Sequence, residues 1–279
     1  MLPEHSNKKM KKITISLLLI LSVATNLNAQ DRFFAYTYNS NVLPKGRMDL
    51  ELWHTSRFGH TGQFFHAQDQ RMEFEMGLGK NLQTAFYFNR FQKRFSEGTE
   101  GTTTSNEIGF SNEWKWKLSD PSTNKLGLAL YGEWGIKGGD EVELESKIIL
   151  DKYIGKSLFA FNGIVEYEKE FEWEDGRVKS NSWKMPVEFD LAYMYNLKPS
   201  WGIGFEIRNH NDIAKGKGWE NSVLYAGPTL NYRTSNWFVI VNYQPQLTNL
   251  HKTSYAPFSK VLDEHERTEA RIILGISLK

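Results

Sequence analysis

The sequence predicts an all-β chain, a transmembrane antiparallel up-and-down β-barrel of about 12 strands. Three observations predict it. The N-terminus has the makeup of an export signal. Past it, apolar and polar residues alternate with period two in segments of roughly ten residues, the length a tilted membrane strand needs. Turn residues separate these segments, and the connections alternate between short and long.

The export signal comes first in the chain. Lys8-Lys9-Met10-Lys11-Lys12 is a basic region, Ile13 to Ala24 is mostly apolar, and Leu27-Asn28-Ala29 precedes Gln30 as a cleavage site. The apolar run is far short of the roughly 20 residues of a spanning helix. Met10 is an alternative start, since the segment from there already reads as a whole signal. The expected division is 1–29 signal peptide, 30–46 periplasmic N-terminal segment and 47–279 barrel. The expected location is the outer membrane of a Gram-negative bacterium, with the lipid bilayer as the partner.

Composition narrows the function classes. The chain holds 34 Lys and Arg against 33 Asp and Glu; taking away the four Lys and one Glu of residues 1–29 leaves a slightly acidic mature chain. No basic field is present, so no nucleic acid is expected as a partner. Cysteine is absent, which excludes disulfides, thiolate metal sites, cysteine nucleophiles and a lipidated N-terminus. Aromatic residues make up 14% of the chain, yet mean hydropathy is −0.52, as expected of many rings beside a polar face.

The strands follow in order at about 47–57, 69–79, 82–94, 105–118, 125–137, 142–153, 157–171, 183–197, 200–210, 222–232, 236–246 and 267–279. In the second, Met72, Phe74, Met76 and Leu78 share one face, and Arg71, Glu73, Glu75 and Gly77 the other. In the first, Leu50 and Leu52 oppose Asp49, Glu51 and Trp53. Trp183 to Tyr195 and Trp201 to Ile207 repeat the alternation, and the last strand sets Ile272, Leu274 and Ile276 against Arg271. Short connections fall near 79–81, 119–124, 154–156, 198–199 and 233–235. The others fall near 58–68, 95–104, 138–141, 172–182, 211–221 and 247–266, of which only 138–141 is short. That pattern places both termini on the short-turn, periplasmic side. Rings near strand ends (Trp53, Phe88, Trp114, Trp116, Trp134, Trp183, Tyr195, Trp201, Trp237) are expected to form interfacial girdles.

The polar face supplies the candidate site. Expected lumen-lining residues are Glu51, Arg71, Glu73, Glu75, Glu113, Lys115, Glu143, Glu145, Glu166, Glu168, Glu188, Asp190, Glu206, Arg208 and Arg271. Carboxylates outnumber cations on that face, which favours cations in an open pore. Opposite charges on neighbouring strands are expected to pair. No catalytic residue and no cofactor is expected. His54-Thr55-Ser56 lacks the Asn-Gly that follows the His-x-Ser of outer-membrane phospholipases, and Glu73 and Glu75 have the spacing of any polar strand face. His60, His66, His251 and His265 fall in expected outer loops and His210 at a strand end, with no pair at metal-ligand spacing, so no metal is expected.

Phe34-Ala35-Tyr36-Thr37-Tyr38, then Leu43-Pro44-Lys45-Gly46, then Leu50-Glu51-Leu52-Trp53 resemble the start of a family of uncharacterised Bacteroidota-type outer-membrane β-barrels. More distantly, the chain resembles transporter-type barrels associated with aromatic-compound degradation. The resemblance speaks to architecture. The final Leu278-Lys279 departs from the terminal aromatic of many outer-membrane strands.

The expected function is a porin-like or transporter-like channel for small solutes, with a carboxylate-rich lumen. The alternative is a plugged structural or binding barrel whose outer loops contact a ligand or partner. A membrane-embedded hydrolase stands third. A monomer is favoured by barrel size.

Overall fold

The computed structural model describes residues 32–96, 101–174, 177–179 and 182–278; the expected signal peptide lies outside them. Twelve long strands form one closed antiparallel meander: β1 (Met48–Phe58), β2 (Phe65–Gly79), β3 (Leu82–Ser96), β4 (Thr102–Ser119), β5 (Gly127–Lys137), β6 (Glu141–Ile154), β7 (Ser157–Glu170), β11 (Val187–Lys198), β12 (Trp201–Ala214), β13 (Gly218–Arg233), β14 (Trp237–Asn249) and β15 (Thr268–Ser277). Three short pieces fill the β7–β11 connection: β8 (Glu172–Glu174) and β9 (Arg177–Lys179), which pair with each other, and β10 (Trp183–Lys184). Every long strand pairs with its two neighbours, and β1 closes the ring on β15 with Leu52 opposite Leu274. Closure leaves no unpaired edge, which a sheet in hydrocarbon requires.

Side-chain alternation explains which face is which. Along β2, Met72 and Leu78 point outward and are exposed, while Glu73 and Glu75 point inward and are buried. A belt of outward apolar residues runs round the barrel, from Phe86, Trp114, Leu130, Ile148 and Phe161 to Leu191, Ile203 and Ile272, all exposed to the surroundings. A soluble protein does not display a continuous apolar belt of this kind; a lipid-facing barrel must. Phe88, Trp114, Trp116, Trp134, Tyr195 and Trp201 are among the outward rings. Trp53 is a correction: it is 7% exposed and points inward, as its parity with Asp49 and Glu51 requires.

The expected 183–197 strand is broken at Met185-Pro186. Pro186 has no N–H for the ladder. β10 carries on beyond it, pairing with β7 and β12. The expected long loop at 211–221 shrinks to Lys215–Lys217. Asn211, Asp212, Asn221 and Ser222 continue the β12–β13 pairing, and an Asn221 amide donates to Asp212 at 2.9 Å. At the other end, Lys80 and Asn81 both take positive φ (52° and 62°) in the two-residue β2–β3 hairpin, the backbone a tight twisted turn needs.

Residues 32–43 are the largest departure from expectation. The sequence assigns them to a periplasmic segment at 30–46, but the chain turns back into the short-turn half of the barrel. Phe34, Ala35 and Ser40 are fully buried there. The physical reason lies in the ring-rich stretch Phe33-Phe34-Ala35-Tyr36-Thr37-Tyr38, whose apolar surface is costly to leave in water. It finds a matching interior. Phe33 and Phe34 pack on Leu158, Ala160, Ala192 and Met194. Ala35, Tyr36 and Tyr38 pack with Trp53, Ala129, Ile149, Phe238 and Ile240. The lower interior is thus mixed: apolar patches that seat the rings stand beside buried polar and charged side chains such as Glu51, Glu73, Glu113 and Lys115. Gly77 makes room for the returning chain, since a Cβ there would collide with the Leu43 and Pro44 carbonyl oxygens.

Candidate functional site

The buried segment exposes backbone N–H and C=O groups inside the barrel, and each needs a partner. Inward side chains from six strands supply them. Glu206 on β12 accepts from the Ala35, Tyr36 and Thr37 amides, each at 2.9 Å. Asn162 on β7 accepts from the Tyr38 amide at 2.6 Å and donates to the Tyr38 carbonyl at 2.9 Å, as a neighbouring strand would. Asp151 on β6 holds Ser40 through its hydroxyl at 2.7 Å and its amide at 3.2 Å. Gln83 on β3 accepts from the Leu43 amide at 2.8 Å. Asn231 on β13 donates to the Arg32 carbonyl at 2.9 Å, and Arg271 on β15 to the Ala35 carbonyl at 3.0 Å.

Cations clamp the two tyrosine rings. Tyr36 lies under Arg271 at 3.7 Å and Arg208 at 4.0 Å from the ring centre. Tyr38 lies under Arg32 and Lys147, both at 4.4 Å. A desolvated cation–ring contact contributes about 2 kcal/mol. Segment 32–43 is therefore a plug, seated by polar ties and stacked cations.

Above the plug a cavity of about 290 Å³ opens toward the long-loop end, with Tyr36 and Tyr38 in its floor. Charge is unevenly spread round its wall. Glu133, Glu145, Glu143, Glu166, Glu188 and Asp190, from β5, β6, β7 and β11, make an acidic arc, while Arg208, Arg271 and Arg71, from β12, β15 and β2, stand on the other side. Strand register stacks like charges side by side: Glu133 lies opposite both Glu113 and Glu145, and Glu145 also faces Glu166. Partial compensation comes from Lys147, 3.0 Å from Glu145, and from Arg208, which bridges Glu188 at 3.0 Å and Glu269 at 2.8 Å.

All fifteen expected site residues point inward, but they divide into three groups. Arg71, Glu143, Glu145, Glu166, Glu188, Asp190, Arg208 and Arg271 line the vestibule above the plug. Glu168 lines a second cavity, nearer the long loops. Glu51, Glu73, Glu75, Glu113, Lys115 and Glu206 are buried lower down. Glu51 pairs with Arg32 at 3.4 Å and accepts from the Trp53 indole at 2.8 Å. Glu75 accepts from Gln83 at 2.9 Å, and Tyr87 donates to Glu113. Glu206 is taken up by the plug. A charge count cannot separate a lumen carboxylate from one that holds a chain crossing the lumen. The uncharged partners Asn162, Gln83 and Asn231 escaped sequence reasoning, although full burial of an amide on a barrel's inner face needs just such a partner.

His54 and Ser56 do meet, with Nε2 and Oγ 3.1 Å apart. They share the outward face of β1 with Leu52, whereas Thr55 points inward and is buried.

Solved structures that superpose on this architecture include outer-membrane barrels. The COG4313 outer membrane channel from Pseudomonas putida F1 superposes with TM-score 0.64 at 10% identity, over 88% of this chain and 100% of that one. The translocator domain of the autotransporter NalP from Neisseria meningitidis gives 0.57 at 10% identity, over 98% and 95%. The beta domain of the Bordetella autotransporter BrkA gives 0.54 at 6% identity, over 83% and 99%. At such identity the likeness is one of fold. No curated protein sequence matches the chain. One family does match, and the match takes in the plug together with every barrel strand: over residues 26–278 the chain belongs to DUF6662, a family of unknown function.

Proposed function

We propose that the protein is a gated, porin-like channel for small polar or amphipathic solutes, with residues 32–43 as its plug and the charged vestibule as its selecting site. One observation carries this reading. Among the described residues the plug adds no strand to the barrel, and its ties to the wall described above run to side chains, so it can leave without breaking the inter-strand ladder. A barrel that needed the segment as permanent bracing would be expected to pair with it as a strand. The vestibule supplies the selectivity. Its acidic arc draws cationic groups, and the arginines opposite orient any carboxylate the solute carries. The carboxylates that set selectivity are Glu133, Glu143, Glu145 and Glu166; Glu206 governs opening. Residues 1–29 serve as the cleaved signal that delivers the chain to the outer membrane.

A permanently plugged binding barrel is the second reading, favoured by the number of ties on the plug. Planar-bilayer recording separates the two. The mature chain is expected to be closed, with brief openings. A variant lacking residues 32–43 is expected to give stable ohmic steps with cation preference, reduced by Glu133→Gln and Glu145→Gln. A deletion variant that still forms a heat-modifiable barrel on a gel but stays silent overturns the channel. Glu206→Ala, which keeps the whole chain, serves the same purpose if the deletion does not fold.

A further inference from the structure

The long-loop end of the barrel holds a cluster that the channel reading does not use. His210 and Asp212 lie two residues apart on β12, so strand alternation points both inward. The connection from β14 to β15 brings His265 against them. His265 Nε2 lies 2.6 Å from one oxygen of Asp212 and His210 Nε2 lies 3.2 Å from the other. One ligand atom from each of the three residues lies within 4.8 Å of the other two.

The surroundings fix these groups as supporting residues fix metal ligands. Glu188 accepts from His210 Nδ1 at 3.0 Å, which turns Nε2 of that ring toward the cluster. Asn221 donates at 2.9 Å to the Asp212 oxygen that also faces His265 and helps hold the carboxylate. Glu188 is itself held by Arg208 at 3.0 Å, which keeps it in place. A cavity of about 320 Å³ adjoins the cluster, wide enough for water or a solute group as a further ligand.

We infer that His210, Asp212 and His265 form a binding site for a divalent transition-metal ion, zinc in the first instance. Two imidazoles and one carboxylate suit a borderline ion, and three protein ligands with an open position are the pattern of an accessible rather than a sealed site. The ion replaces the protons that now bridge the imidazoles to Asp212, and His265 draws back from the carboxylate to admit it. Binding also has a mechanical consequence. His265 belongs to the segment that folds over the barrel mouth, where Val261 and Ala256 pack on Val223 and Tyr225, and Tyr225 donates to the Glu266 carbonyl at 3.0 Å. A metal bridging His265 to β12 would fasten that segment to the wall.

The test is zinc titration calorimetry on the refolded mature chain in detergent, with a competing chelator. One zinc per chain is expected. His265→Ala and Asp212→Asn are expected to weaken it at least 30-fold, and Glu188→Gln about 10- to 100-fold, the usual effect of losing a supporting partner. His251→Ala, outside the cluster, leaves it unchanged. Zinc is also expected to slow proteolysis within 250–267 in the wild type and not in His265→Ala. X-ray absorption showing two imidazoles on the bound zinc completes the assignment. No saturable binding by a heat-modifiable barrel overturns the site, as does binding that survives Asp212→Asn and His265→Ala together; His–Asp–His is then an ion-pair latch only.

Discussion

Substituting Glu206 probes the plug at its strongest tie. Its carboxylate accepts three consecutive backbone amides at 2.9 Å and the Thr229 hydroxyl at 2.6 Å, and the residue is fully buried. In Glu206→Gln one oxygen still accepts, but the new NH2 faces amide donors. Losing one or two hydrogen bonds to a charged acceptor, at about 1.5–3 kcal/mol each with incomplete additivity, weakens the seated plug by about 2–4 kcal/mol. At about 1.4 kcal/mol per decade, the population with the plug released rises by a factor of about 30 to 700. The chain has no cysteine, so a single introduced thiol is a clean reporter. Thr37 is 1% exposed and its hydroxyl oxygen has no hydrogen-bond partner among the described residues, so Thr37→Cys disturbs little. Maleimide labelling of Thr37→Cys is expected to be slow, and to accelerate by that factor when Glu206→Gln is added. Equal labelling rates in the two backgrounds would refute the assignment of Glu206 as the plug's anchor.

Further predictions concern the wall and the lipid face. Gly77→Ala drives a Cβ into the Leu43 and Pro44 carbonyls and is expected to destabilise the plugged state by about 1–3 kcal/mol, read as more frequent openings in bilayers. In a chain lacking residues 32–43, Arg71→Ala and Arg271→Ala are expected to increase cation preference, seen in reversal potentials under a salt gradient. Ile148 is 53% exposed on the outward face and lies in mid-strand, so Ile148→Lys should cost about 2–4 kcal/mol in urea unfolding. Ile108, 77% exposed near the outer end of β4, should tolerate the same change at about 0–1 kcal/mol.

The barrel was legible because its rule is local. Alternation in Arg71 to Leu78 settles the face of each residue, and the short and long connections order the strands. Errors arose where a second rule competed. A ring near an expected strand end suggests a girdle place for Trp53, but its parity with Asp49 and Glu51 turns it inward. The loss of apolar alternation over 211–221 suggests a loop, but on strands that rise beyond the bilayer polar residues carry no penalty, so the pairing continues.

The plug escaped for a different reason. Four rings within Phe33 to Tyr38, outside the barrel's own strands, signal a segment that needs a protected place. Nothing local says that the place is the lumen. That follows only once Ala129, Ile149, Ala160, Ala192 and Ile240 are seen together, from five strands, as apolar patches in the lower interior. The His210–Asp212–His265 cluster is non-local in the same way, since His265 lies 53 residues from Asp212. Its local half, His210 and Asp212 on one strand face, was hidden by the misplaced end of β12.

The most direct test of the account is amide hydrogen exchange in the refolded mature chain, resolved at residues 35, 36 and 37. These three amides donate to Glu206 inside the barrel. Protection well above that of an unstructured peptide is expected, lost in Glu206→Ala while the amides of β12 stay protected. Exchange of the three amides at the rate of an unstructured peptide, in a barrel otherwise protected, would contradict it.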